Sequence, residues 1–240
     1  CSASANTKRE NEMMMNSLVS HADNIDRLNK MRVPVTFTET PFGNLSQAKS
    51  EDISWLELTN KFRDGDDSHA VSDLANESEA AVDHIPTCPQ SGFWSPSKYE
   101  MDSDGHFNLV GVSCVVLDVG GLTPDELDEI QSKQGALGDF AWYMHVLSSQ
   151  SGRNADVRFI FPFFELTRPA EAYDASRFFA SELAEYLAPP FRKVKPESFD
   201  LYRFLSLPTK SEEQQHPSIR NYGTPLFSDL LVDSTSWQET

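Results

Sequence analysis

A carboxylate and a guanidinium hold matching places in two apolar runs of this chain. VLDVGG, residues 116–121, carries Asp118 near its end, and VRFIFPFF, residues 157–164, opens with Arg158. A carboxylate where a Val-rich strand gives way to glycine can hold a divalent cation, and an arginine can meet a phosphate. Asp200 and Arg203, within FDLYRFLSLP at 199–208, offer the same two residue types again. Each also has a plainer reading. Asp118 before Gly120-Gly121 suits a turn at a strand end. Arg158 beside Asp156 suits a structural ion pair. Asp200 and Arg203 are three apart, so on a strand they point to opposite faces and need not share a site.

The elements that must position these residues are legible in outline. Phe107 to Val119 reads as a strand, apolar on both faces, that Gly120 and Gly121 break. Thr123-Pro124-Asp125-Glu126 combines a capping hydroxyl, a proline at the first helical position and a glutamate three residues after the cap. A helix starts there and turns Leu127 and Ile130 inward. The apolar run Phe140 to Leu147 follows, ending in a Ser-rich turn at 148–152, and then the strand Val157 to Phe164. From Pro169 to Leu187, Tyr173, Phe178, Phe179, Leu183, Tyr186 and Leu187 recur at helical spacing, and Pro189-Pro190 stops that helix. Phe199 to Pro208 alternates enough to form a last strand with Asp200 at its start. Ser54 to Phe62 reads as a helix with Trp55, Leu58 and Phe62 on its buried face, and Trp94 and Tyr99 flank Pro96 in a loop or hairpin that approaches the sheet. The expected class is α/β (α+β): a mixed central sheet flanked by helices.

These residues, in this order, resemble the catalytic domain of archaeo-eukaryotic primases. The nearest versions are the primase-polymerase-like domains in replication proteins of viruses, plasmids and other mobile elements. The resemblance spans Trp55 to Leu231 and includes Tyr222-Gly223-Thr224-Pro225-Leu226. It implies a primase-like sheet and a DNA-replication nucleotidyltransferase, a DNA primase, that uses Mg²⁺ or Mn²⁺, nucleotides and single-stranded DNA. On this likeness Asp118 and Asp200 are the metal ligands, and Arg158 contacts a triphosphate. Ser149 and Gln150 line the nucleotide pocket, and Arg203 is a further phosphate contact. Asp118, Asp200 and Arg158 form the implied catalytic set.

Two departures set the chain apart from that family. The family places two acids two apart on one strand, where both side chains share a face and can hold metal; here Gly120 occupies the second place. The family's Ser-x-His turn falls near Ser148 to Ser151, where there is no histidine, and His145 lies earlier on the preceding strand. Two-metal phosphoryl transfer then requires Asp104, Asp156 or another acid to substitute. A degenerate metal motif and impaired catalysis follow as the expectation.

Charge favours a second function class. The 240 residues carry a formal net charge of -17, whereas a protein that tracks a nucleic-acid backbone offers a basic stripe. Residues 1–152 hold 10 Lys and Arg against 24 Asp and Glu, residues 153–220 hold ten of each, and residues 221–240 add three acids. Nucleotide or DNA contact therefore falls to Arg153, Arg158, Arg192, Lys193, Lys195 and Arg203, a set that also reads as a solvated surface. The alternative is a non-enzymatic acidic interaction protein on the same fold, engaging a basic protein partner or mimicking DNA.

Length and composition suit one main domain. The organisation read from the chain is an irregular N-terminal extension over 1–50, a primase-like domain over 51–232 with an acidic loop near 64–83, and a tail over 233–240. The three cysteines, Cys1, Cys88 and Cys114, show no metal spacing, and the six histidines are dispersed. Cys114 reads as a small buried hydrophobe. Cysteine usage points to a reducing, cytoplasmic setting. A start of Cys-Ser-Ala-Ser-Ala also resembles a mature lipoprotein anchored through Cys1. No apolar stretch reaches transmembrane length, and no P-loop, dinucleotide-binding or nucleophile-elbow motif is present.

Overall fold

The computed structural model describes residues 22–38, 48–64, 92–132, 137–149, 154–187, 189–208 and 218–228. The helical residues 22–30 (α1) lead into β1 (Arg32–Thr38), followed by β2 (Lys49–Ser54) and α2 (Trp55–Asp64). Next come β3 (Phe93–Ser95), β4 (Ser97–Met101) and the long β5 (Phe107–Leu122), then α3 (Pro124–Ser132). β6 (Ala141–Ser149), β7 (Ala155–Thr167) and α4 (Pro169–Glu182) complete the centre. Two short strands, β8 (Leu205–Ser206) and β9 (Ile219–Tyr222), close the order.

The strands form two sheets, one ordered β2-β1-β3-β8 and the other β4-β5-β7-β6-β9. Among the described residues every strand ladder is antiparallel, and parallel contact enters only as isolated bridges, Phe140 with Thr224 and Phe163 with Leu226. The fold is α+β. Alternation along the five-stranded sheet sends its side chains into two cores. Leu117, Val119, Phe159, Phe161, Trp142 and Met144 pack beneath α3 and α4. Cys114, Val116, Ile160 and Tyr143 face the four-stranded sheet with Val33, Val35, Trp94, Trp55, Leu58 and Phe62. β5 is therefore buried on both faces from Gly111 to Val119, which is why it reads as a continuous apolar run rather than an alternating one.

Local signals fix several boundaries. The Thr123 N–H donates to Glu126 Oε2 at 2.8 Å, and the Glu126 N–H donates back to Thr123 Oγ1 at 3.3 Å, a reciprocal cap that starts α3. Ser54 and Glu57 do the same for α2, at 2.7 and 3.2 Å. Ile130 is buried as expected, and Leu127 packs at the margin of the same core. α4 passes into a wider turn over Leu183–Leu187, and Pro189–Lys193 then forms a 3-10 segment.

Three expectations need correction. Residues 22–38 are not irregular extension: they supply α1 and β1, the strand that joins β2 to β3. β5 does not stop at Gly120-Gly121 but continues to Leu122 through a register shift after Val119, because Gly121 takes a positive φ of 65° that lets the strand bulge. Phe199 to Pro208 is not a strand. Pro196–Phe199 is a 3-10 turn, the Asp200 carboxylate accepts the Tyr202 N–H at 2.9 Å to hold a further turn, and only Leu205–Ser206 pairs, with β3. Residues 1–21, the acidic loop beyond Asp64 and the tail from 233 lie outside the described residues. Among the described residues no helix is long and apolar enough to cross a membrane.

Candidate functional site

Strand register brings the candidate residues together. Asp118 on β5 lies directly across from Arg158 on β7, and Arg158 in turn lies across from His145 on β6. Asp118, Arg158 and His145 thus form one row across three neighbouring strands. Residues two positions earlier or later on each strand, Val116, Ile160 and Tyr143, belong to the core shared with the four-stranded sheet. The row faces that sheet too, since side chains at i and i+2 share a face.

The row is an ion cluster. Arg158 Nε donates to Asp118 Oδ1 at 2.7 Å and Nη2 to Oδ2 at 3.0 Å, a bidentate pair. Arg203 reaches in from the segment before β8, its Nη1 donating to Asp118 Oδ2 at 2.9 Å and its Nη2 to the Val116 carbonyl at 3.1 Å. Both carboxylate oxygens therefore carry guanidinium donors. Asp118 and Arg158 are 5% and 6% exposed. Burial alone raises the Asp118 pKa, but the bonds and charge of Arg158, joined by Arg203, override it and hold the carboxyl below its usual range. Burial, partly offset by the Asp118 charge, lowers the Arg203 pKa.

His145 completes the row as a neutral group. Burial, then the Arg158 charge, pushes its pKa from 6.5 down to about 3. Its ring lies 5.7 Å from Tyr143 and 6.5 Å from Phe62, and its Nδ1 is buried without a hydrogen-bond partner.

A second ion pair fills the space beside Gly120. Lys195 Nζ donates to Asp156 Oδ2 at 2.6 Å, and the Gly121 N–H donates to Asp156 Oδ1 at 2.8 Å. Both contacts, the lysine's first, lower the Asp156 pKa. A Cβ on Gly120 would stand 2.8 Å from Lys195 Cε. The lysine stem thus occupies the room into which a side chain at the second strand position projects.

Asp118, Arg158 and Arg203 therefore converge, although the partner of Arg158 is Asp118 rather than its sequence neighbour Asp156. Asp200 stands apart in its role: exposed, it binds the Tyr202 N–H after the 3-10 turn. Asp104 is exposed in the turn between β4 and β5. Ser149 ends β6, its backbone paired with Ala155, and Gln150 lies outside the described residues. Among the described residues no group of three or more His, Cys, Asp or Glu side chains is placed to hold a metal ion. Ser198, which holds the backbone of Asp118, belongs to no sequence motif; Lys195 stands in the basic set expected to meet nucleotide or DNA but pairs with Asp156 and Asp118 instead, and His145 is visible in the sequence without an assigned partner.

No protein-family model matches the chain, and no curated protein sequence matches it significantly. Among solved structures it is similar to the polymerase domain from Mycobacterium tuberculosis ligase D in complex with DNA. The match covers 90% of this chain and 85% of that chain, at 13% identity and a TM-score of 0.34. A likeness of that degree carries no inference about site or activity.

Proposed function

We propose that this chain is a non-catalytic interaction domain, primase-polymerase-like in the order of its residues, in which buried ion pairs take the place of a metal centre. The observation that carries this reading is the closure of Asp118 by two arginines. A divalent cation needs several oxygen ligands within about 2.0–2.6 Å. The residues at the expected site fit guanidinium and ammonium groups instead. Asp118 is shared between Arg158 and Arg203, the second strand position is Gly120, and Lys195 fills its flank. An acid bound this way supports the fold rather than phosphoryl transfer.

The net charge of -17 suits a basic protein surface as the partner, reached by long-range attraction that salt screens. The placing among replication proteins of mobile elements rests on the sequence resemblance alone.

Primer synthesis and extension on single-stranded DNA, with Mg²⁺ or Mn²⁺ and labelled nucleotides, tests the reading. The expected result is no incorporation by the wild-type chain, together with binding to a lysine-rich peptide that weakens as salt rises. Metal-dependent incorporation that disappears in a folded Asp118→Asn variant overturns it, and returns Asp118 to a catalytic role.

A further inference from the structure

The outer edge of β5 is closed in an unusual way. β4 covers that edge only as far as Val112, where Ser97 is its partner, and the Ser113 N–H donates to the Pro96 carbonyl just beyond. Past that point no strand among the described residues pairs with it. Residues 194–203 cross the edge instead and satisfy it piecemeal. The Lys195 N–H donates to the Asp118 carbonyl at 2.8 Å, Ser198 Oγ accepts the Asp118 N–H at 2.9 Å, and Arg203 Nη2 donates to the Val116 carbonyl. Val194 makes an isolated bridge with Val119.

This crossing segment is anchored at both ends and pinned at single residues between them: Ser198 is buried, Phe199 and Leu201 pack at the margin of the core beneath α4, and the Leu201 carbonyl accepts the Ser97 hydroxyl at 2.6 Å. Phe191 is buried against Phe159, with ring centroids 4.9 Å apart, and Leu205 pairs with Trp94. Between them Pro196, Glu197, Asp200 and Tyr202 are exposed, Tyr202 by 67%. A segment held at a few points loosens when those points are removed. Beneath lies Cys114-Val115-Val116-Leu117-Asp118-Val119, a strongly β-forming stretch with one charge. Such an edge pairs readily with another strand when uncovered.

We propose that residues 194–203 are a guard strap over the β5 edge, and that loosening the strap lets a second copy of this chain add its own β5 there. The occupant follows from burial. β5 is buried on both faces over this stretch, so an incoming strand must present apolar side chains on both faces, and the same stretch of a second copy does so. Antiparallel pairing of identical edges also closes on itself as a two-fold dimer. This inference holds whether or not the ion cluster beneath the strap has catalytic use.

Two substitutions loosen the strap and leave the side chains of Asp118, Arg158 and Arg203 unchanged. Lys195 has φ of -74°, an angle proline adopts, so Lys195→Pro deletes the N–H donor with little backbone strain. Ser198→Ala removes the hydroxyl. Lys195→Ala is the control, since it keeps the N–H and loses only the contact with Asp156. Light scattering on a sizing column over a concentration series, with hydrogen exchange read by mass spectrometry, decides the matter. The double variant Lys195→Pro/Ser198→Ala is expected to form dimers as concentration rises, and at low concentration to exchange about tenfold faster in peptides covering 114–120. Lys195→Ala is expected to match the wild-type chain in mass. Wild-type mass and exchange in the double variant overturn the proposal. So does loss of protection across both sheets, which makes the segment an ordinary part of the fold rather than a guard.

Discussion

Asp118 and Arg158 are direct cross-strand partners, joined by two hydrogen bonds of 2.7 and 3.0 Å in the interior of the molecule. Removing the carboxylate charge leaves two guanidinium groups facing each other with their shared counter-ion gone. Asp118→Asn is expected to lower unfolding free energy by about 3–5 kcal/mol. Urea titration followed by circular dichroism measures it. A loss below about 1 kcal/mol contradicts a structural role for the cluster.

The two arginines are unequal. Arg158 holds both oxygens of Asp118, whereas Arg203 holds one and is the more exposed, its side chain at 13% against 7%. Arg158→Met should therefore cost about 3 kcal/mol or more and Arg203→Met about 1–2 kcal/mol. Their double variant, with Asp118→Asn added, should recover part of the loss, since no buried charge is then left unpaired. Melting curves of the set provide the comparison.

Acid sensitivity should arise first at His145. Its folded pKa is about 3, below the ordinary 6.5, so between those values the unfolded chain binds a proton that the folded chain refuses. The stability tied to the neutral ring is fully present above about pH 6.5 and drains away as pH falls towards 3, by up to about 1.4 kcal/mol per pH unit. His145→Phe should flatten that part of the profile relative to wild type. Asp118, with its pKa depressed, adds a second loss only at lower pH. Denaturation midpoints measured from pH 7 to 4 give the difference.

Two glycines should respond differently to a methyl group. At Gly120 the added Cβ meets the flexible end of Lys195 at 2.8 Å, whereas at Gly223 it meets the Phe140 carbonyl carbon and oxygen at 2.5 Å. A side-chain tip swings aside and a backbone does not. Gly120→Ala should stay within about 1 kcal/mol of wild type, while Gly223→Ala should cost about 2–4 kcal/mol. Thermal melts of both variants test the order.

Much of this arrangement could be read from the chain, and the limits of that reading are physical. The cap at Thr123 and Glu126 lies within one turn, so four residues suffice to announce it. The apolar character of β5 records burial on both faces. Register leaves no such local mark: the contact between Asp118 and Arg158 spans 40 positions, and alternation places each residue on a face without naming its neighbour. β1 alternates buried and open residues from Arg32 to Val35, yet Pro34 argues against a strand between two others. The structure accommodates it because β3 pairs only with Thr36 to Thr38, leaving Pro34 beyond that ladder. FDLYRFLSLP alternates too, but the Asp200 carboxylate captures a local backbone donor and turns the chain.

The four-stranded sheet joins the two ends of the described chain. β1 pairs locally with β2, yet the sheet's far edge is β8, whose Leu205 meets Trp94 after more than a hundred intervening residues. During synthesis the β1–β2 hairpin and the long ladder of β5 with β7 can assemble while later residues are still unmade. The strap and β8 cannot. Closure is therefore a late event of high contact order, and until it occurs a nascent chain presents the bare β5 edge. Shielding of that edge on the ribosome matters more for this fold than for one whose edges close early.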